Sequence, residues 1–289
     1  MHSEPVIRVD GAVAGHTVDI LVLKLTVTPV LIGVSALIGR RWGPGRGGWI
    51  VGIPFTSGPI ALVLSVSQGG HFAGDAAVGI LAGTGSEAMF CFAYAWAASR
   101  FTWTTSLTAG VIGFAATTTT LALLRLPLSV APALAIAVGG VALALALSPR
   151  AADGLTWSPA GGRAGIGDIA TRMVVATAAV LLLTSTATLL GSTLTGLLSP
   201  FPLFGAVMMV FSQRLQGGGG GIAAARGLLW GLFGAAFFFL VLATLLPRYG
   251  LIAFVPAVLA DLVAQAVTLP MVHQRGPASG PRPPEGAAA

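Results

Sequence analysis

The sequence predicts an all-α integral membrane protein of about nine transmembrane helices, arranged as two four-helix inverted repeats joined by a connector helix. Three observations carry this expectation. The 289 residues are 55% hydrophobic and only 8% charged, with a mean hydropathy of +0.90, whereas a soluble domain carries roughly 25% charged residues. The apolar residues fall in runs of about 20, the length of helix that crosses roughly 30 Å of hydrocarbon. The chain also matches itself without a gap when shifted by 148 positions.

The spans follow in order at 17–39, 48–67, 73–98, 102–124, 128–148, 166–190, 196–215, 222–246 and 250–272. Each break between them carries turn chemistry: RRWGPGRGG at 40–48, QGGH at 68–71, RLPL at 125–128, a polar stretch at 148–165 and PRYG at 247–250. The opening 16 residues are polar and have no signal-peptide pattern, so they form an extracytoplasmic tail. Repeat one occupies 17–125 (spans one to four), the connector span 126–149 and a cytoplasmic loop 150–165. Repeat two follows at 166–272 (spans six to nine), and the Pro/Gly/Ala-rich tail 273–289 is expected to be disordered and cytoplasmic.

Composition excludes several classes. A soluble enzyme, a disordered chain and a disulfide scaffold all fail, the last because Cys91 is the sole cysteine. The net charge of +6 comes from scattered arginines with no basic stripe, so nucleic acid is not the expected partner; the lipid bilayer is. No GxxxxGK, HExxH or paired Cys/His spacing occurs, so neither ATP hydrolysis, a metal nor any other cofactor is expected. Arginines Arg40, Arg41, Arg46, Arg100, Arg150, Arg163, Arg214, Arg275 and Arg282 fall on one side of the nine-span layout, against Arg8, Arg125 and Arg248 on the other. Basic residues in short loops are held in the cytoplasm, which puts the N-terminus outside and the C-terminus inside.

In the self-match, residues 24–100 align with 172–248 and 16 of 77 pairs are identical, about twice what so skewed a composition gives by chance. The identities concentrate in residues with backbone or polar roles: Pro54/Pro202, Gln68/Gln216, Gly69/Gly217, Gly70/Gly218, Gly79/Gly227 and Gly83/Gly231 among them. Spans one to four thus correspond to six to nine. The displacement is five crossings, an odd number, so the halves are expected to lie in opposite orientations. Inverted repeats are the architecture of many secondary transporters.

The stretch GGWIVGIPFTSGPIALVLSVSQGG resembles uncharacterised bacterial multi-pass integral membrane proteins. The resemblance covers the second and third spans and implies no activity; with the arginine-biased composition it points to a bacterial cytoplasmic membrane.

Charges at mid-membrane need a reason, since each costs at least about 2.5–3.5 kcal/mol. Glu87 shares a helical face with Gly79 and Gly83, where small residues admit a close neighbour, and its repeat counterpart is Ala235. Asp261 lies near the middle of the last span with Gln265 one turn on; their counterparts are Gly113 and Thr117. These acids are candidates for ion or substrate binding, as are Pro54, Thr56, Ser57 and Pro202, because prolines break spans two and seven and free backbone groups for a ligand. Lys24 and Arg172 are repeat partners, candidate gate charges preceded by Asp19 and Asp168; Arg226 is a further cation placed to pair with a buried acid. The corners Gln68-Gly69-Gly70 and Gln216-Gly217-Gly218 are candidate hinges or turns. Thr117 to Thr120 are expected to bond back to their own helix.

The function these features favour is export or transport of a small molecule or ion, coupled to protons, by alternating access. Two readings stand beside it: a non-catalytic partner subunit of a membrane complex, and an integral membrane enzyme acting on lipid. No clustered catalytic side chains support the second. Small-residue helix faces leave room for a homodimer.

Overall fold

The computed structural model describes residues 41–54, 57–124, 129–150 and 201–272, with isolated positions between 30 and 38 and at 174. All regular structure among them is helical. Helix α1 (Pro44–Val51) starts where a proline fills the first turn, behind Gly43 at φ 96°; that position needs no backbone N–H. It stops short of Pro54, and α2 (Ser57–Gln68) begins three residues beyond that proline. The predicted span 48–67 is therefore two short helices rather than one. Pro54 lacks an N–H and disfavours helical geometry in the residue before it.

Helices α3 (Gly70–Ala98), α4 (Trp103–Leu123) and α5 (Val130–Leu147) follow as unbroken rods. Then comes α6 (Leu203–Tyr249), which Pro202 caps and a non-helical Gly217 divides into a short arm, 203–216, and a long arm, 218–249. A 3₁₀ turn (Gly250–Ala253) leads into α7 (Phe254–Thr268) and a closing 3₁₀ turn (Leu269–Val272). The described parts of the predicted spans at 196–215 and 222–246 are thus two helical arms that meet at a kink at Gly217. Among the described residues, four helical stretches are long and apolar enough to cross a membrane: Gly70–Ala98, Trp103–Leu123, Val130–Leu147 and Leu203–Val272. The sixth predicted span, 166–190, and nearly all of the first lie outside the described residues.

Two corners have the same backbone. Gly69, between α2 and α3, has φ 88° and ψ 165°; Gly217 has φ 71° and ψ −170°. Glycine alone adopts this region readily, and the two positions are 148 residues apart. In each case a half-length helix turns into a long one. The short arm of α6 folds back on the long arm, bringing Gly205 against Leu228 and Gly220 against Ser212.

The long rods meet backbone to backbone at two places and pack apolar side chains, among them Leu81, Phe90, Leu228 and Phe239, between these. The backbone of Gly70 in α3 abuts the Leu246 carbonyl in α6, and Gly218 in α6 abuts the Ala98 carbonyl in α3. The two helices are therefore antiparallel, and adding 148 to one residue of each contact generates the other. Helix α1 lies alongside the same long arm through Gly45 against Gly227, Gly48 against Ala224 and Gly52 against Gly231. Lipid offers no hydrophobic drive between helices, so such backbone approach supplies the dispersion contact that holds them. Helix α7 also packs on the arm, with Asp261 and Gln265 at Gly234, and the closing 3₁₀ turn brings Val272 against Gly45 of α1. Helices α4 and α5 flank α3 through Gly110 on Phe90 and Gly85 on Ile136. Outward faces are apolar: Ile112, Leu143, Val263 and Val267 are exposed, as lipid-facing residues are.

The direction of packing sets depth. Gly52 meets Gly231, which is near the middle of the 218–249 arm. The α1–α2 break and the start of the α6 short arm consequently lie midway along the bundle, between the two long rods.

A cleft at the paired helix breaks

At that depth is a small cleft, open at its mouth. Its walls come in pairs related by 148 positions: Ile53 and Phe201, Pro54 and Pro202, Ser57 and Gly205, Ile80 and Leu228, Thr84 and Leu232, Glu87 and Ala235. The two proline breaks thus face one space. From it start both half-length helices, α2 at Ser57 and the short arm of α6 at Leu203. A helix start carries unpaired N–H groups and the positive end of the peptide dipole.

Glu87 breaks the pairing. It lies on α3 and lines the cleft opposite the helix starts, half-buried, and it makes no hydrogen bond or ion pair among the described residues. Thr84, one turn earlier on the same wall, donates its hydroxyl to the Ile80 carbonyl at 3.3 Å. The remaining lining is apolar: Phe201, Phe204 and Phe239 with Leu228 and Leu232. The cleft therefore brings together one carboxyl, two helix starts and aromatic walls.

The residues singled out from sequence distribute as follows. Glu87, Pro54, Ser57 and Pro202 come together in the cleft. Asp261 and Gln265 do not: they are buried between α7 and the long arm of α6, against Gly231 and Gly234, and none of these four residues lines the cleft. Arg226 pairs with no acid among the described residues. Its Nη1 donates to the carbonyls of Leu145 at 3.0 Å and Ser148 at 3.2 Å, at the C-terminal end of α5, where a cation meets the negative end of the helix dipole. Gly79 does not admit a close helix; a side chain there would meet nothing within 4 Å. The partner of the small-residue stripe is instead found at its repeat match, Gly227, against α1. Thr117 and Thr120 bond back to Gly113 and Ala116 as expected, but Thr118 does not: its hydroxyl is buried with no hydrogen-bond partner. Thr56, Lys24, Arg172, Asp19 and Asp168 lie outside the described residues.

Sequence reading missed a buried polar link. The Tyr94 hydroxyl donates to Gln213 Oε1 at 2.8 Å, and Gln213 Nε2 donates to the Phe101 carbonyl at 2.9 Å. This joins α3, the α3–α4 link and the α6 short arm. Gln213 inside the apolar run MMVFSQRL was the available signal. Arg100 over Trp96 and Arg214 over Trp103 lie at the same end of the bundle, with rings 5.0 and 5.6 Å from the guanidinium carbons. No protein family, curated protein or solved structure matches the chain.

Proposed function

We propose that the chain is a secondary transporter of a small polar solute in a bacterial cytoplasmic membrane, working by alternating access between two inverted repeats. The observation that carries this reading is the cleft's wall, built from repeat-matched pairs at the two helix breaks. A site on the axis relating two antiparallel halves can be opened to either side by exchanging the halves' roles, which is how inverted repeats convert one binding site into a carrier. The antiparallel contact of α3 with α6 and the matching corners at Gly69 and Gly217 support the same reading. So does burial: Asp261 is 4% exposed and faces protein rather than lipid.

In this reading the starts of α2 and the α6 short arm hold an acceptor or anionic group of the solute. Glu87 takes a donor or cationic group across the cleft, and the aromatic walls exclude water. The arginines support an orientation. Arg100 and Arg214, with Trp96 and Trp103 beneath them, mark the end of the bundle that holds the Gly217 corner, and Arg248 and Tyr249 are at the opposite end of α6. The richer end is assigned to the cytoplasm.

The test is flux in proteoliposomes of the purified chain under an imposed pH gradient, using a panel of radiolabelled amino acids, amines and carboxylates. One class is expected to accumulate. Glu87→Gln is expected to lower that flux by about tenfold or more, the loss of one charge-assisted hydrogen bond in a dry site. Absence of gradient-driven flux for every class, or full flux in Glu87→Gln, would reject the assignment.

A further inference from the structure

A second polar site lies away from the cleft, between α7 and the long arm of α6. Asp261 and Gln265 are 4% and 3% exposed. Gln265 Nε2 donates to the Gly231 carbonyl at 3.1 Å and reaches Asp261 Oδ1 at 3.4 Å. Gln265 Oε1 is buried and has no hydrogen-bond partner. The cluster is short of donors: an ionised carboxylate and a carbonyl share one amide group, and the amide's own oxygen receives nothing. An orphaned acceptor and a buried charge are both costly in an apolar interior, and a bound cation offsets both.

The backbone leaves room for this. A methyl on Gly234 would fall on Asp261 Oδ1 and Gln265 Nε2, so the missing side chain is what admits the polar pair. The matched place in the other repeat holds Ser86, Gly113 and Thr117, with no carboxyl, and Thr117 is satisfied by the Gly113 carbonyl. From α1 the nearest polar group is Trp49, which donates to Thr268 at 3.1 Å, one turn beyond Gln265. The charged side chains on the packed elements are Arg46 in α1 and Arg214, Arg226 and Arg248 in α6. Among the described residues, Asp261 has its hydrogen bond from Gln265 alone.

We infer that Asp261, Gln265 and the Gly231 carbonyl bind a monovalent cation, a proton or a sodium ion, at a site separate from the cleft. As the seat of the coupling ion it rests on the transporter reading; as a binding site it does not, because it is read without flux. The experiment treats the intact chain in detergent with dicyclohexylcarbodiimide, an apolar reagent that modifies protonated carboxyls, and locates the adduct by peptide mass spectrometry. A proton site gives modification of Asp261 at acid pH that is lost as pH rises, equally in sodium and choline chloride. A sodium site gives protection by sodium at fixed pH. Asp261→Asn, accepted only if it elutes as the wild type on size exclusion, removes the labelled peptide. No modification of Asp261 at any pH, or modification indifferent to both pH and sodium, overturns the inference. Labelling as expected with no gradient-driven flux would retain the site and reject the transporter.

Discussion

Gly79 and Gly227 are matched by the 148-residue shift of the sequence and each lies in a long helix, yet a methyl group added to each meets different surroundings. At Gly79 it meets nothing within 4 Å. At Gly227 it falls on the backbone of Gly45, carbonyl oxygen and Cα alike, which cannot rotate aside as a side chain does. Replacing glycine by alanine inside a helix returns about 0.5–1 kcal/mol of backbone entropy, and this is the whole effect expected at Gly79. At Gly227 the gain is opposed by overpacking, typically about 1–3 kcal/mol. The upper end applies because α1 must withdraw as a unit and lose its neighbouring contacts at Gly48 and Gly52. Gly227→Ala is therefore expected to be about 2 kcal/mol less stable and Gly79→Ala slightly more stable than the parent. In a chain of this size about 1 kcal/mol corresponds to roughly 2–4 °C, so the melting temperature falls by about 4–8 °C in the first and rises by no more than about 4 °C in the second. Cys91 is the sole cysteine and fully buried, so a thiol-reactive fluorophore in detergent reports the melt directly. Equal shifts in the two variants, or no loss in Gly227→Ala, would refute the backbone contact between α1 and α6.

The Tyr94–Gln213 link predicts non-additivity. Gln213→Leu leaves the Tyr94 hydroxyl without its acceptor and is expected to lower stability by about 1–3 kcal/mol, whereas Gln213→Leu with Tyr94→Phe costs clearly less than the two singles summed, read by the same thermal assay. Arg226→Met removes both bonds to the end of α5 and is expected to cost about 1–3 kcal/mol, with hydrogen exchange rising first around residues 145–148. In a Cys91→Ala background, Ser99→Cys and Tyr249→Cys should be reached by an impermeant thiol reagent from opposite faces of intact cells, Tyr249→Cys from outside.

Much of this fold was legible because a bilayer narrows the choices. Rod boundaries follow from apolar length, so Gly70–Ala98, Trp103–Leu123 and Val130–Leu147 begin and end within a few residues of the predicted spans. The break at Pro54 and the corners at Gly69 and Gly217 were legible for a different reason: each is a backbone event that one residue type dictates, a missing donor or a positive φ. Partner choice was not legible. Arg226 shows a cation inside an apolar run, but carbonyls at the end of α5 are present in every helix and leave no trace in sequence. Gly79 and Gly227 are the same letter in the same pattern, and only the fold shows that α1 covers one of them. Asp261 and Glu87 both read as mid-membrane acids, and only the fold shows that Glu87 lines the cleft while Asp261 is buried against Gly234 of α6.

The cleft's pseudo-symmetry also bears on why its acid is single. A group lining a cleft on the axis between two repeats is matched by its counterpart across the same small space, as Pro54 is by Pro202 and Thr84 by Leu232. Two carboxylates so placed could not both ionise without mutual repulsion, and one would be held neutral. In the proposed carrier, Glu87 on one wall with Ala235 at the matched position avoids this and leaves one charge for the solute. The axis then makes a strong demand: the acid should work from either wall. Glu87→Ala is expected to abolish flux, and Glu87→Ala with Ala235→Glu to restore a measurable part of it, because the moved carboxyl enters the same cleft from the matched position. Ala235→Glu alone should impair flux by placing two acids together. Failure of the swap to restore any flux, in protein that elutes and melts as the wild type does, would mean that the cleft is a one-sided pocket and that the matched walls are a relic of duplication with no part in transport.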